Sequence, residues 1–261
     1  MTAQELLKKE IKAFIKTQSG NIAVSFYDLN EKSGFSIDGE KRMLSASTIK
    51  LVIMAELMRR AHIGEISLEN KITVTAQMKI GGDGILKELE PGHSFTLKEL
   101  LTLMIIISDN EATNILIDFL GMESINQMAQ AMHLKQAHLG RKMMDSKAKE
   151  AGHDNYICAE DIRDILKSIY EGTCIDDKSS KIMLNILKHQ HQSGRLQLYL
   201  PGEVKVAHKC GDLDCLENDG GIFLLPKHPY ILVVLTNEMP TNKDGKEAIG
   251  KISWIVYQAL C

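Results

Sequence analysis

One stretch leaves this chain few choices. After Ile49 the residues Leu51, Val52, Ile53, Met54, Ala55, Leu57 and Met58 follow with hardly a polar break. Coiled as a helix they are apolar nearly all round, and such a helix has to lie inside a domain. The remaining chain must supply walls on every side of it. At its front stands Ser47, where unpaired N–H groups and the positive end of the helix dipole gather. Lys50 follows one turn later on the same face. An amine beside a hydroxyl takes its proton when burial lowers the amine's pKa. The commoner reading of such a pair is a helix cap and a solvated lysine. Indeed Ser146-Lys147-Ala148-Lys149 has the same spacing. Lys50 differs in being embedded in the apolar run.

With 261 residues the chain can build those walls within one domain. Its 44% hydrophobic and 25% charged residues are ordinary globular composition. A net charge of -3 gives no reason to expect nucleic acid or an anionic membrane as partner. The apolar segment 100–107 is broken by Thr102 and falls short of a membrane span. Glu5, Lys8, Lys9, Glu10 and Lys12 interrupt what would be the core of a signal peptide. The expectation is a cytoplasmic protein as the sequence stands, or a secreted one if a leader was removed. Five cysteines without close pairing make no disulfide framework. Neither His189-Gln190-His191 nor the group His208, Cys210 and Cys215 has a standard zinc spacing, so no metal or other cofactor is expected.

Periodicity predicts a helix over 3–17, then a hairpin of strands 22–27 and 35–37. A mostly helical stretch follows. Thr96-Leu97-Lys98-Glu99 is a capping box ahead of a buried helix, and further helices are expected over 111–119, 124–132, 159–170 and 178–189. Between 139 and 156 the pattern is lost in a long polar loop, and such loops are often functional. Strands return at 203–209, 221–225 and 230–236, and a last helix spans 245–260. The expected fold is α/β of the α+β type in a single domain, 1–261. Segments 1–43 and 195–261 would form a five-stranded antiparallel sheet flanked by the terminal helices. Segment 44–194 would form a helical lobe, with a cleft between the two.

Two more polar stretches interrupt apolar elements. Ser108-Asp109-Asn110 follows the buried helix; it is good turn chemistry, but Ser108 is also placed to relay a proton and Asn110 to bind an amide. His208-Lys209-Cys210-Gly211 ends the expected strand 203–209. A strand edge beside a cleft can hold an extended substrate. Lys209 would supply a positive charge there, and Gly211 would permit close approach.

Together these stretches resemble class A β-lactamases and penicillin-binding proteins, whose S-x-x-K, S-D-N and K-T-G motifs occur in this order. Here they are Ser47/Lys50, Ser108/Asp109/Asn110 and Lys209/Cys210/Gly211. The resemblance spans essentially the whole chain, and residues 108–121 (SDNEATNILIDFLG) read like class A sequence. It implies a serine acyl-transfer hydrolase in which Ser47 attacks a lactam or ester carbonyl and Lys50 is the base, with Ser108 as relay. The N–H groups of Ser47 and Asp212 would form the oxyanion hole. Asn110, Lys209, Cys210 and Gly211 would hold a small-molecule β-lactam or a D-Ala-D-Ala-like peptide. The resemblance leaves the oligomeric state open.

Two departures stand out. Cys210 replaces the threonine of the third motif, a far weaker donor. Its thiol is either a size replacement or, beside Lys209, a group of lowered pKa. Class A enzymes also place a water-activating glutamate on the long loop just after an arginine. Here Arg141 is followed by Lys142, Met143 and Met144, the acidic position resembles Met143, and Asp145 and Glu150 do not fit the spacing. Arg141 is expected to clasp the far end of the loop at Asn155. The implied outcome is acylation followed by slow hydrolysis. A D-Ala-D-Ala peptidase, or a sensor or relic that acylates once, is the alternative.

Overall fold

The computed structural model describes residues 2–261. The chain opens with helix α1 (Ala3–Ile15), strands β1 (Asn21–Asp28) and β2 (Ser33–Ile37), and the short β3 (Met43–Leu44). A 3-10 turn, Ala46–Ile49, leads directly into α2 (Lys50–His62). Next come β4 (Lys71–Thr73), β5 (Ser94–Thr96), α3 (Leu97–Ile106), α4 (Asn110–Leu120), α5 (Met122–Ala131), α6 (Ser146–Glu150) and β6 (Tyr156–Ile157). After α7 (Ala159–Tyr170) and α8 (Asp177–Leu187) the chain closes with β7 (Val206–Leu213), β8 (Leu216–Phe223), β9 (Tyr230–Asn237) and α9 (Asn242–Leu260).

The main sheet has five antiparallel strands in the order β2-β1-β9-β8-β7, so strands from opposite ends of the chain are neighbours at its middle. Side chains alternate across it. Val24, Phe26, Leu232 and Val234 face one apolar cluster with Leu7 and Ile11 of α1 and Ile249, Ile252 and Val256 of α9. Ala23, Ile231, Val233 and Leu235 face the other, with α2, α3, α4 and α7. β9 is covered on both faces, which is why it reads as a continuous apolar run.

The all-apolar helix is buried as its composition demands: every residue of α2 from Lys50 to Met58 is inside. Each fully buried Leu or Ile there contributes on the order of 1.5–3 kcal/mol. The capping box at Thr96 forms in both directions, 3.1 Å from Glu99 N–H to Thr96 Oγ1 and 2.7 Å from Thr96 N–H to Glu99 Oε2. No helix among the described residues is long and apolar enough to cross a membrane.

Two strand expectations need correction. β7 continues to Leu213, so Lys209, Cys210 and Gly211 lie within the strand instead of ending it. The turn is Asp214 and Cys215, the latter at φ 56° without the glycine that usually marks such a position. β8 starts at Leu216, five residues before the expected Gly221. Glu217, Asn218 and Asp219 look like loop residues, yet all three are buried with partners: Glu217 on the Arg195 side chain, Asp219 on the His208 ring and Asn218 on the Leu44 carbonyl. The middle segment also carries two small ribbons, β3–β6 and β4–β5, and the helix α6 inside the long loop.

Candidate active site

Ser47 sits in the second position of the 3-10 turn, immediately after Ala46, whose φ of 45° is costly for a residue with a Cβ. Neighbours hold this strained entry. Asn218 Nδ2 donates to the carbonyls of Leu44 and Ser45, at 2.9 and 3.2 Å, and Thr48 Oγ1 donates to Ser45 O at 2.7 Å. Gly211 of the edge strand β7 closes in from the other side. A Cβ built there would lie 2.4 Å from Ser47 N and 3.0 Å from its Cβ, so only glycine allows the approach.

Lys50 is 0% exposed. Its Nζ donates to Ser108 O at 2.8 Å, Ser108 Oγ at 3.1 Å and Asn110 Oδ1 at 3.1 Å. Lys209, also 0% exposed, reaches the same hydroxyl: its Nζ lies 3.2 Å from Ser108 Oγ and 2.6 Å from Cys210 O. Ser108 presents that hydroxyl from a left-handed backbone, φ 58°. Burial takes the Lys50 amine well below the usual lysine range, and the charge of Lys209 lowers it further. Burial lowers Lys209 as well. Two ammonium groups around one hydroxyl repel each other, which favours the neutral form of one.

Asp109 and Glu111 organise the opposite wall. Asp109 caps α4 through Ala112 N–H at 2.9 Å and accepts from Ile85 and Leu86 N–H at 2.7 and 2.9 Å. Glu111 Oε1 accepts from Ile80 and Gly81, and Asn110 N–H donates to Asp83 O at 2.9 Å. The Gly-rich segment 81–84 is thus strapped to the second motif and presents Asp83 to the cleft. A Cβ on Gly82 would lie 2.3 Å from Asn110 Nδ2.

A cleft of about 330 Å³ opens over Ser47, lined by Asp83, Asn110, Met143, Lys149 and Asp212 among others. The long loop forms one side. Met143 stands there, its backbone gripped by Asn114 in both directions: N–H to Asn114 Oδ1 at 2.8 Å and Asn114 Nδ2 to Met143 O at 3.0 Å. The carboxylate of nearby Asp145 is committed to capping α6 through Ala148 N–H at 2.9 Å. The second serine–lysine spacing, Ser146 and Lys149, lies exposed on that short helix with no apolar burial around the amine.

The three motifs therefore meet, with two corrections to the expected contacts. The Arg141 side chain clasps Asp154 at 2.9 Å, and only its backbone N–H reaches Asn155. The Asn155 Oδ1 is turned to the backbone, accepting from Gly140 and Arg141 N–H at 2.8 and 3.0 Å, and so closes the loop's neck. Cys210 is 0% exposed, and its thiol lies 3.0 Å from Gln192 Oε1, away from the cleft lining. Burial pushes the thiol pKa up rather than down. Asn114, Arg195 and Asn218 were not singled out in the sequence, since nothing local marks them. The run Gly81-Gly82-Asp83-Gly84 carried a turn signal that would have pointed to its segment.

The model of the β-lactamase enzyme family matches residues 6–260. The chain belongs to that family. It is a β-lactamase-like hydrolase with the family's fold, an antiparallel five-stranded sheet and several helices. The β-lactamase VEB-1 of Pseudomonas aeruginosa is 23% identical over 96% of this chain and 90% of its own length. A solved β-lactamase of Sphaerobacter thermophilus superposes with a TM-score of 0.89 at 28% identity, covering 97% of this chain and 96% of that one. The protein PBP-A superposes with a TM-score of 0.88 at 25% identity, covering 97% of this chain and 95% of its own. A mutant of PBP-A has been solved as an acyl-enzyme with penicillin G.

Proposed function

We propose that this β-lactamase-family hydrolase is acylated at Ser47 by β-lactams and releases the opened product slowly. The observation that carries the reading is the double contact on Ser108: two fully buried lysines share its hydroxyl, one of them a single helical turn after Ser47 and the other two residues before Gly211, which abuts the Ser47 backbone. In this scheme neutral Lys50 takes the proton of the Ser47 hydroxyl as Oγ bonds to the lactam carbonyl carbon. The Ser47 and Asp212 N–H groups hold the developing oxyanion, a role worth about a hundredfold or more per donor in acyl transfer. The C–N bond breaks, and Ser108 passes a proton from the lysine pair to the departing nitrogen. Asn110, Lys209 and Gly211 position the substrate; buried Cys210 contributes its backbone only. Water then splits the ester and restores the hydroxyl.

The last step has no dedicated carboxylate from the long loop, because Met143 holds the position and the Asp145 side chain caps a helix. The same observation favours a second reading, a D-Ala-D-Ala-directed peptidase, which acylates with peptide and stalls on β-lactams. Intact-protein mass spectrometry after mixing with benzylpenicillin tests the scheme. The expected result is a lasting adduct of one penicillin per chain, absent in Ser47→Ala, and a stoichiometric burst with a chromogenic cephalosporin. Sustained rapid hydrolysis sinks the slow-release claim. An adduct that persists in Ser47→Ala sinks the assignment of the nucleophile. Release of D-Ala from a D-Ala-D-Ala peptide would favour the second reading.

A further inference from the structure

A buried cation beside the cleft is already engaged. Arg195, 5% exposed, lies in the segment between α8 and β7. An arginine fork is shaped to grip one carboxylate with two parallel bonds. Here the fork is split. Nε donates to Glu217 Oε2 at 2.5 Å and Nη2 to Asp212 Oδ1 at 2.6 Å. Glu217 is an interior partner, held also by Asn242 Nδ2 at 3.0 Å. Asp212 is another matter. It lines the cleft one residue after Gly211, whose backbone abuts Ser47. Arg195 is its one ion-pair partner among the described residues. Its side chain is 45% exposed, against 6% for Arg195, so this carboxylate faces the cleft while the cation it pairs with lies behind it.

The other cation at this end, Lys209, is turned to Ser108 and to Cys210 O. An anionic group arriving along the edge of β7 meets the Asp212 carboxylate, with Arg195 behind it already paired to both Asp212 and Glu217. Asp83 adds a further carboxylate to the same cleft, whose lining also includes Lys149 and the paired Arg141 and Asp154.

We infer that the Asp212 carboxylate stands in for a substrate carboxylate on Arg195, so that the site selects acyl donors that are uncharged or cationic at the β7 end of the cleft. The inference rests on the acyl-transfer reading of Ser47, and it makes Asp212 a specificity-determining residue through its side chain.

The test compares benzylpenicillin with its methyl ester, which lacks the carboxylate. Acylation rates are read by mass spectrometry on the wild-type chain and on Asp212→Asn. The wild-type chain is expected to acylate with penicillin no faster than with the ester. In Asp212→Asn the penicillin-to-ester ratio should rise by about tenfold, the scale of one close charge pair exchanged. Asp212→Ala should move the ratio in the same direction. The rise should largely survive about 1 M salt, because a contact with a buried arginine is screened far less than a long-range field. A ratio that does not change between chains overturns the inference and leaves acylation at Ser47 standing. A rise that disappears at high salt overturns the pairing with Arg195. No adduct on either chain with either compound overturns the acyl-transfer reading and this inference with it.

Discussion

Ser108 draws its meaning from what points at it. One hydroxyl accepts from two amines that water cannot reach, and both lose proton affinity to burial. The pH dependence follows with a definite sign. An unfolded lysine keeps its proton to about 10.5, while the folded Lys50 gives its proton up well below that. Between those values the unfolded chain binds more protons, so stability rises with pH; below the folded value the full cost of burying the charge remains. Relative to Lys50→Met, the wild-type chain should gain stability from pH 7 toward pH 10 in urea titrations, by at most about 1.4 kcal/mol per pH unit. The acylation rate should climb over a limb centred well below 10.5, a macroscopic property of the Lys50/Lys209 pair. A limb at the ordinary lysine value would contradict a buried base. Gly211 gives a steric counterpart. In Gly211→Ala the new methyl must displace the Ser47 backbone 2.4 Å away. Acylation should fall a hundredfold or more, at a stability cost of about 1–3 kcal/mol by thermal unfolding.

At the scale of elements, the long loop decides whether the reaction turns over. Asn114 on α4 fixes the Met143 backbone from both sides, so a side chain placed there is held at the cleft whatever its identity. Met143→Glu should therefore bring a carboxylate to the ester. Steady-state hydrolysis of the chromogenic cephalosporin should rise by about a hundredfold, the low end of general-base effects. Removing the grip with Asn114→Ala in the same chain should take most of that gain away. The loop also shows what a sequence discloses. Its length, its polarity and the lack of a glutamate after Arg141 were legible, because they are matters of residue type and spacing. So were Ser47, Lys50, Ser108 and Lys209, whose pattern is local even though their meeting is not. The clasp of Arg141 on Asp154, the polar start of β8 and the role of Arg195 were not. Each depends on a partner that local pattern does not announce: Glu217 resembles a turn residue until Arg195 is beside it, and Asn218 until it bonds Leu44 O.

The whole molecule is tied together by a sheet drawn from both ends of the chain. β1 pairs along its full length with β9, and α1 packs with α9 over the same face. α2 is enclosed by elements from before and after it. We expect one cooperative unfolding transition. Trp254 on α9 reports the terminal layer by fluorescence, and far-ultraviolet circular dichroism is dominated by the other helices; the two curves should coincide in urea. Separate midpoints would divide the chain into independently stable parts.

The pairing of β1 with β9 also sets a schedule for the growing polypeptide. When Asp28 has left the ribosome, the strand that will cover its open edge still awaits translation of about two hundred residues, roughly 10–40 s at ordinary elongation rates. Through that interval the N-terminal hairpin is a sticky, half-finished ribbon. A holding chaperone that shields the hairpin, and lets go once Tyr230 to Asn237 emerge, would match the order in which this protein is made.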